Sequence, residues 1–184
     1  MDHTRHGVPA ASADHDNHAP AADPASPVVT RLTVRMTPAL DRHPLAGQIL
    51  ADRARAISAT PADEAVILVA HGPVPDDDNQ RCLADMAVLA GHVRAAVPFA
   101  AVEYMTVRDD AGPAMREAAT RELRDTVARH TAAGRRVLVV PHLLSFGGIE
   151  QGIRKRLEGL DYTMASQALM PDDRLIEWVL LNAR

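Results

Sequence analysis

Cysteine is nearly absent from this sequence. Cys82 is the single thiol in 184 residues, which excludes an intramolecular disulfide and any thiolate metal cluster. Aromatic residues make up 3% of the chain, too few for the stacking platforms on which single-stranded nucleic acids lie. There is no excess of basic charge either. The formal net charge is -4, and after residue 40 both signs are interspersed, so no basic stripe argues for a nucleic-acid partner. No apolar run approaches the roughly 20 residues of a membrane span, and the start has no h-region of a secretory signal. A cytoplasmic location is therefore expected. The Gly-rich fingerprints of dinucleotide and P-loop nucleotide binders are missing, as is the Gly-x-Ser-x-Gly elbow of hydrolases.

What is present is 47% apolar residues and 24% charged ones, enough for one packed domain. Residues 1–28 are rich in Ala, Pro, Asp and His and carry no hydrophobic period, so a disordered tail is expected there, with a domain over 29–184. His3, His6, His15 and His18 make the tail a weak metal-gathering candidate or simply a solvated segment. Val29, Leu32 and Val34 alternate like a short edge strand or extended arm.

From residue 41 onward the pattern is regular. Asp41 reads as the cap of a helix with Pro44 in its first turn, running through Ser58. The run Glu64–Ala70 is continuously apolar after its first residue, as in a strand buried on both faces. Asp76–Asp78 read as loop, and a helical stripe of Cys82, Met86, Leu89, Val93 and Val97 spans about 79–97. A second strand is expected over 101–107. A helix opens at Gly112-Pro113 and stops at Gly134. A third strand covers 136–141, and a helix after Gly147-Gly148 carries Ile149, Ile153 and Leu157. A fourth strand is expected over 162–170. A last helix begins at Pro171-Asp172-Asp173, with Leu175, Ile176, Val179 and Leu180 turned inward. Strict alternation of strand and helix implies right-handed crossovers, hence an α/β domain with a parallel four-stranded sheet.

In such sheets ligands bind beyond the carboxyl ends of the strands. His71 stands at that end of the first strand, an imidazole able to hold a metal or move a proton. The segment after the third strand, Pro141-His142-Leu-Leu-Ser-Phe-Gly147-Gly148-Ile-Glu150, is expected nearby. It adds His142 as a second metal ligand and Glu150 as an acid–base group, and imidazole with carboxylate suits a divalent first-row metal. His142 also fits a satisfied core imidazole, and Glu150 a helix N-terminal charge. His43, His92 and His130 read as surface or helix-end residues.

Val69-Ala70-His71-Gly72 resembles the strand-end His-Gly signature of the class II tetrapyrrole chelatases, the sirohydrochlorin cobalto- and ferrochelatases. Val139-Val140-Pro141 followed by Leu144 and Gly147 is similar to that family's second signature, and the likeness spans about residues 60–182. It implies a parallel sheet covered on both faces. The implied activity is insertion of Co²⁺ or Fe²⁺ into an anionic tetrapyrrole of cobalamin or siroheme synthesis, with His71 binding metal or accepting pyrrole protons. The metal would be a substrate, and no organic cofactor is implied. The family's second histidine falls on Ile149 here, and Pro73 replaces the usual serine. Gly147 and Gly148 are expected beside the substrate, and Arg108 and Arg154 are expected to meet its carboxylates, since guanidinium pairs well with them. A non-catalytic metal- or tetrapyrrole-binding protein is the alternative. Family members also occur as fused pairs of modules or as single modules that pair, so a homodimer stays open.

Overall fold

The computed structural model describes residues 31–33 and 35–183. The chain divides into two units, 1–36 and 37–184. The expected tail, with its four histidines, lies outside the described residues. So do Val29 and Val34 of the expected arm, of which residues 31 and 32 form a bend rather than a strand.

The second unit holds a four-stranded sheet with β1 (Glu64–Ala70), β2 (Ala101–Thr106), β3 (Arg136–His142) and β4 (Thr163–Met164). The order across it is β2-β1-β3-β4, every pair parallel. β1 is buried along its whole length, as a central strand with helices on both faces must be. Alternation of side chains sorts the core into two layers. Val66, Leu68, Leu138 and Val140 pack with α1 (Pro44–Ile57) and α2 (Asp76–Ala96). Ile67, Val69, Val137 and Val139 pack with α3 (Pro113–Ala132) and α4 (Gly148–Arg156). Burying each such side chain is worth about 1.5–3 kcal/mol.

The local start signals partly differ from expectation. His43, not Asp41, caps α1, its ring nitrogen accepting from the Leu45 N–H at 3.3 Å, while Pro44 does occupy the first turn. Asp76–Asp78 form the first turn of α2 rather than a loop, where the helix dipole favours carboxylates. His130 is buried near the end of α3, its Nε2 2.7 Å from Glu103 Oε1. Arg129 makes a two-pronged pair with the same carboxylate, which ties α3 to β2 and holds the Glu103 carboxyl below its usual range.

At the amino end of the sheet Glu64 is completely buried. It accepts from the Ser58 hydroxyl, from the Ala59 N–H at 2.9 Å and from Arg136 Nη1 at 2.7 Å. Burial alone would raise its pKa, but these donors outweigh burial and hold it below 4.5.

The far edge departs most from the sequence reading. β4 has two residues, not nine. After Met164 the chain leaves the ladder, then returns so that the Leu169 and Met170 N–H groups donate to the carbonyls of Leu143 and Leu144, each at 2.9 Å. Arg53 of α1 fixes this return, donating to the carbonyls of Ala168 and Pro171. The last helix, α5 (Asp173–Asn182), is present. Only Leu175 of its expected inward residues is buried; Ile176, Val179 and Leu180 are exposed.

Candidate functional site

The site begins with the turn after β1. Gly72 has φ +76°, and a Cβ there would stand 2.4 Å from the Thr106 Cβ and 2.9 Å from Asn79 Oδ1. The Thr106 hydroxyl donates to that Asn79 oxygen at 2.8 Å, both residues buried. Only glycine meets both demands, the left-handed backbone and the absent side chain. The strand ends stay joined past the ladder. The Val107 N–H donates to the Ala70 carbonyl at 2.9 Å and the Arg108 N–H to the His71 carbonyl at 2.6 Å.

This geometry presents the His71 ring at the carboxyl end of β1. Its Nε2 stands 3.2 Å from Asp110 Oδ2, on the β2–α3 loop, and both side chains reach solvent. Nε2 itself is shielded and makes no aligned hydrogen bond. The contact is thus a close approach of imidazole and carboxylate without hydrogen-bond alignment. An imidazole facing a carboxylate in this way can take up a proton and have the resulting charge stabilised, or share a cation with it.

His142 is not the second member of this pair. The register sets it opposite Ala70, and strand alternation continues the Leu138–Val140 face, toward α2. It lines a cavity of about 240 Å³ with Asp41, Asp78, Cys82 and Asp85. Burial pushes its pKa down, with Asp41 partly opposing, and its Nδ1 is buried without a partner. His71, by contrast, meets the loop that enters α3. The two imidazoles therefore serve opposite faces of the sheet, and the expected His71–His142 ligand pair is corrected on that ground.

Arg108 is also placed differently from expectation. At φ +46° its side chain turns back over the β1–α2 loop, donating to the Val74 carbonyl and pairing with Asp76 at 2.7 Å. The guanidinium is largely buried and serves as a strap. Glu150 lies buried in the first turn of α4, its carboxylate bonded to Arg154 Nε one turn later. The two expected groups thus engage each other: Glu150 is neutralised in place, and Arg154 stays half-exposed. Gly147 and Gly148 are exposed, and a Cβ at either would meet nothing within 4 Å. They leave open backbone at the N-terminus of α4, where the first N–H groups have no helical partner. Ile149 is partly buried against the α3/α4 layer, so packing accounts for it.

Among the described residues no three His, Cys, Asp or Glu side chains gather closely enough to hold a metal ion. His71 with Asp110 is therefore a two-group site. Sequence reasoning misses Asp110; the signal is an acidic pair, Asp109-Asp110, just past the carboxyl end of a strand.

No protein-family model matches the sequence, and no curated protein matches it. Solved structures do resemble it. SirB from Bacillus subtilis with Fe³⁺ is 19% identical, with a TM-score of 0.59 over 80% of this chain and 56% of that one. A sirohydrochlorin chelatase SirB from Bacillus subtilis subspecies spizizenii in complex with cobalt is 14% identical, with a TM-score of 0.48 over 73% of this chain and 47% of that one. A multi-domain Deinococcus radiodurans protein, with structural similarity to chelatases and two additional novel domains, is 23% identical, with a TM-score of 0.52. There the likeness covers 78% of this chain and 30% of the other. The chain thus spans about half or less of the length of the structures it matches. Its fold is that of the class II chelatases.

Proposed function

We propose that this chain is a chelatase of the sirohydrochlorin type, inserting Co²⁺ or Fe²⁺ into an anionic tetrapyrrole of siroheme or cobalamin synthesis in the cytoplasm. Residues 29–184 would form the working module and 1–28 a tail. The observation that carries this reading is the His71–Asp110 pair at the carboxyl end of β1, set in a chelatase fold. The SirB structure of that fold holds iron. On this reading the metal is a substrate of the chain, not a resident cofactor.

Metal insertion removes two pyrrole N–H protons for each divalent ion bound. His71 supplies a nitrogen for the incoming metal or a base for one of those protons. Asp110 sits where it stabilises the positive charge that either event brings to the ring, in the manner of a carboxylate behind a ligating histidine. The open backbone at Gly147-Gly148 offers N–H groups to a substrate carboxylate. Arg154, half-exposed beside Glu150, keeps its terminal nitrogens for the same purpose.

A second reading is favoured by Ile149, which packs where a second ligand would stand, and by the two-group size of the site. On that reading the chain binds metal or tetrapyrrole without turnover. A spectral titration with sirohydrochlorin, with and without Co²⁺, separates the two. Insertion faster than the protein-free blank, and lost in His71→Ala, supports the enzyme. Binding without acceleration supports the carrier.

A further inference from the structure

Four cationic side chains line one groove of this acidic protein. The groove encloses about 620 Å³ between α3 and α4, and Arg116, Arg124, Lys155 and Arg156 stand on its walls with two carboxylates, Asp109 and Glu117. A chain of formal net charge -4 has no general surplus of basic groups to scatter, so the local excess asks for a cause.

Packing accounts for two of the four. Arg156 is largely buried, donates to the Val107 carbonyl at 2.8 Å and pairs with Asp109. Arg124 donates through Nη1 to the Arg156 and Glu158 carbonyls, which ties α3 to the end of α4. Arg116 and Lys155 have no such task. Both are exposed, and among the described residues neither side chain meets a carboxylate or another hydrogen-bond acceptor. Glu117 stands 3.9 Å from Arg121 instead. The helix dipole explains Lys155, in the last turn of α4, where cations are favoured. It does not explain Arg116. That residue stands in the opening turn of α3, near the positive end of the dipole, and no acid in the first turn offsets it.

We propose that this groove binds a small, elongated polyanion, a compound with two or more carboxylate or phosphate groups. Arg116 and Lys155 hold it from the two helices, and Arg124 meets its far end. Eight residues separate Arg116 from Arg124, about 12 Å along the helix. A single oxyanion cannot reach both, so the spacing selects a compound with more than one. Guanidinium pairs with carboxylate and phosphate alike through parallel N–H groups, and Arg124 keeps Nε and Nη2 for that purpose. The groove opens at Asp109 and runs down the α3/α4 layer, away from the strand ends. It is therefore a second site, and it does not rest on the proposed activity at His71.

Calorimetric titration of the full chain with inorganic tripolyphosphate and with citrate tests the proposal, at an ionic strength fixed near about 0.1 M so that screening stays constant. The expected result is saturable binding of at least one of them, one per chain, weakened at least about tenfold, or 1.4 kcal/mol, by Arg116→Gln and by Lys155→Gln. Arg42→Gln removes an exposed cation outside the groove and should change nothing. Binding of tripolyphosphate alone assigns the site to a phosphate compound, and binding of citrate alone to a polycarboxylate. No saturable binding of either overturns the proposal. Binding indifferent to both groove variants, or weakened as much by Arg42→Gln, overturns it by showing attraction to charge anywhere on the surface. Urea unfolding accompanies each titration. A groove variant that loses its fold overturns the proposal as well, because its side chain would then be structural.

Discussion

His71 and Asp110 come from the ends of neighbouring parallel strands, and their Nε2 and Oδ2 atoms stand 3.2 Å apart. The approach depends on the β1 and β2 strands staying in step past their last ladder residues, which the Arg108 N–H to His71 carbonyl bond secures. On the proposed function, removing the imidazole would remove the ligand or base itself, and removing the carboxylate's charge would leave the ring in place but unsupported. His71→Ala should lower the rate of Co²⁺ insertion about 100-fold or more, as loss of an acid–base group does. Asp110→Asn should lower it about 10- to 100-fold, as loss of a group supporting a ligand does. Both should keep the wild-type denaturation midpoint within a few tenths of a molar. Equal rates in Asp110→Asn and wild type would show that the carboxylate is a bystander.

Gly72→Ala should destabilise the domain by about 2–4 kcal/mol, combining a left-handed backbone with overpacking against Thr106. Pairing it with Thr106→Ser, which removes the methyl group a new Cβ would press on, should restore part of the loss. Urea unfolding of the single and double variants measures both. A single variant as stable as wild type would mean that the β1–α2 turn yields freely.

Acid should unfold the protein in two stages with different origins. His142 has a folded pKa below 6.5 because burial opposes its charge. The unfolded chain therefore binds a proton there that the folded one refuses, and stability falls as pH drops below 6.5. Glu64 has a folded pKa below 4.5, so its contribution is fully present above 4.5 and is lost as pH falls through the lowered value. His142→Gln should flatten the first stage and leave the second. Glu64→Gln should cost about 2–4 kcal/mol at neutral pH, since it unpairs a buried ionic group, and should shrink the second, which Glu103 and Asp172 also feed. Stability curves of the two variants from neutral to acid pH check each stage separately.

Ile149→His should raise Co²⁺ affinity, because two imidazoles hold a first-row metal better than one. The cost should be about 1–3 kcal/mol of stability from lost burial against the α3/α4 layer. Calorimetry with Co²⁺ alone, alongside unfolding, gives both numbers. A folded variant with unchanged affinity would show that position 149 does not look toward His71.

Much of the fold is legible in the sequence because the residues that carry it obey one period at a time. Glu64–Ala70 and Arg136–Val140 are apolar almost without interruption, and only a strand covered on both faces tolerates that. The helical stripes of α2 and α3 are equally plain. The fourth strand is not legible. Its Tyr162–Met170 run looks extended and indeed returns to the sheet edge, but the intervening turn, fixed by Arg53 from a distant helix, is a tertiary event. The inward face of α5 reads correctly as apolar and wrongly as covered, since periodicity reports what a side chain needs and not what meets it. At the site, His71 follows from position alone. Asp110 does not, because two acids in a turn look the same whether or not an imidazole reaches them. The separation of His142 from His71 turns on a one-residue difference in register, which no spacing along the chain reveals. Arg108 shows the reverse error: a charged side chain near a strand end reads as pointing outward, while here it reaches across to strap the neighbouring β1–α2 loop.

Glu64 gathers the last turn of α1, the first residue of β3 and its own strand into one fastening. Through Arg136, which also bonds the Ile57 carbonyl and the Thr163 hydroxyl, it reaches the edge strand as well. The sheet is consequently bound like a book along its spine, with its loose leaves at the opposite margin, where His71, Asp110 and the Gly147-Gly148 loop lie. Amide hydrogens near Glu64 should exchange with solvent only on global unfolding, while those of residues 143–148 exchange through small local openings. On the proposed function, that margin is the one that would admit a large flat guest.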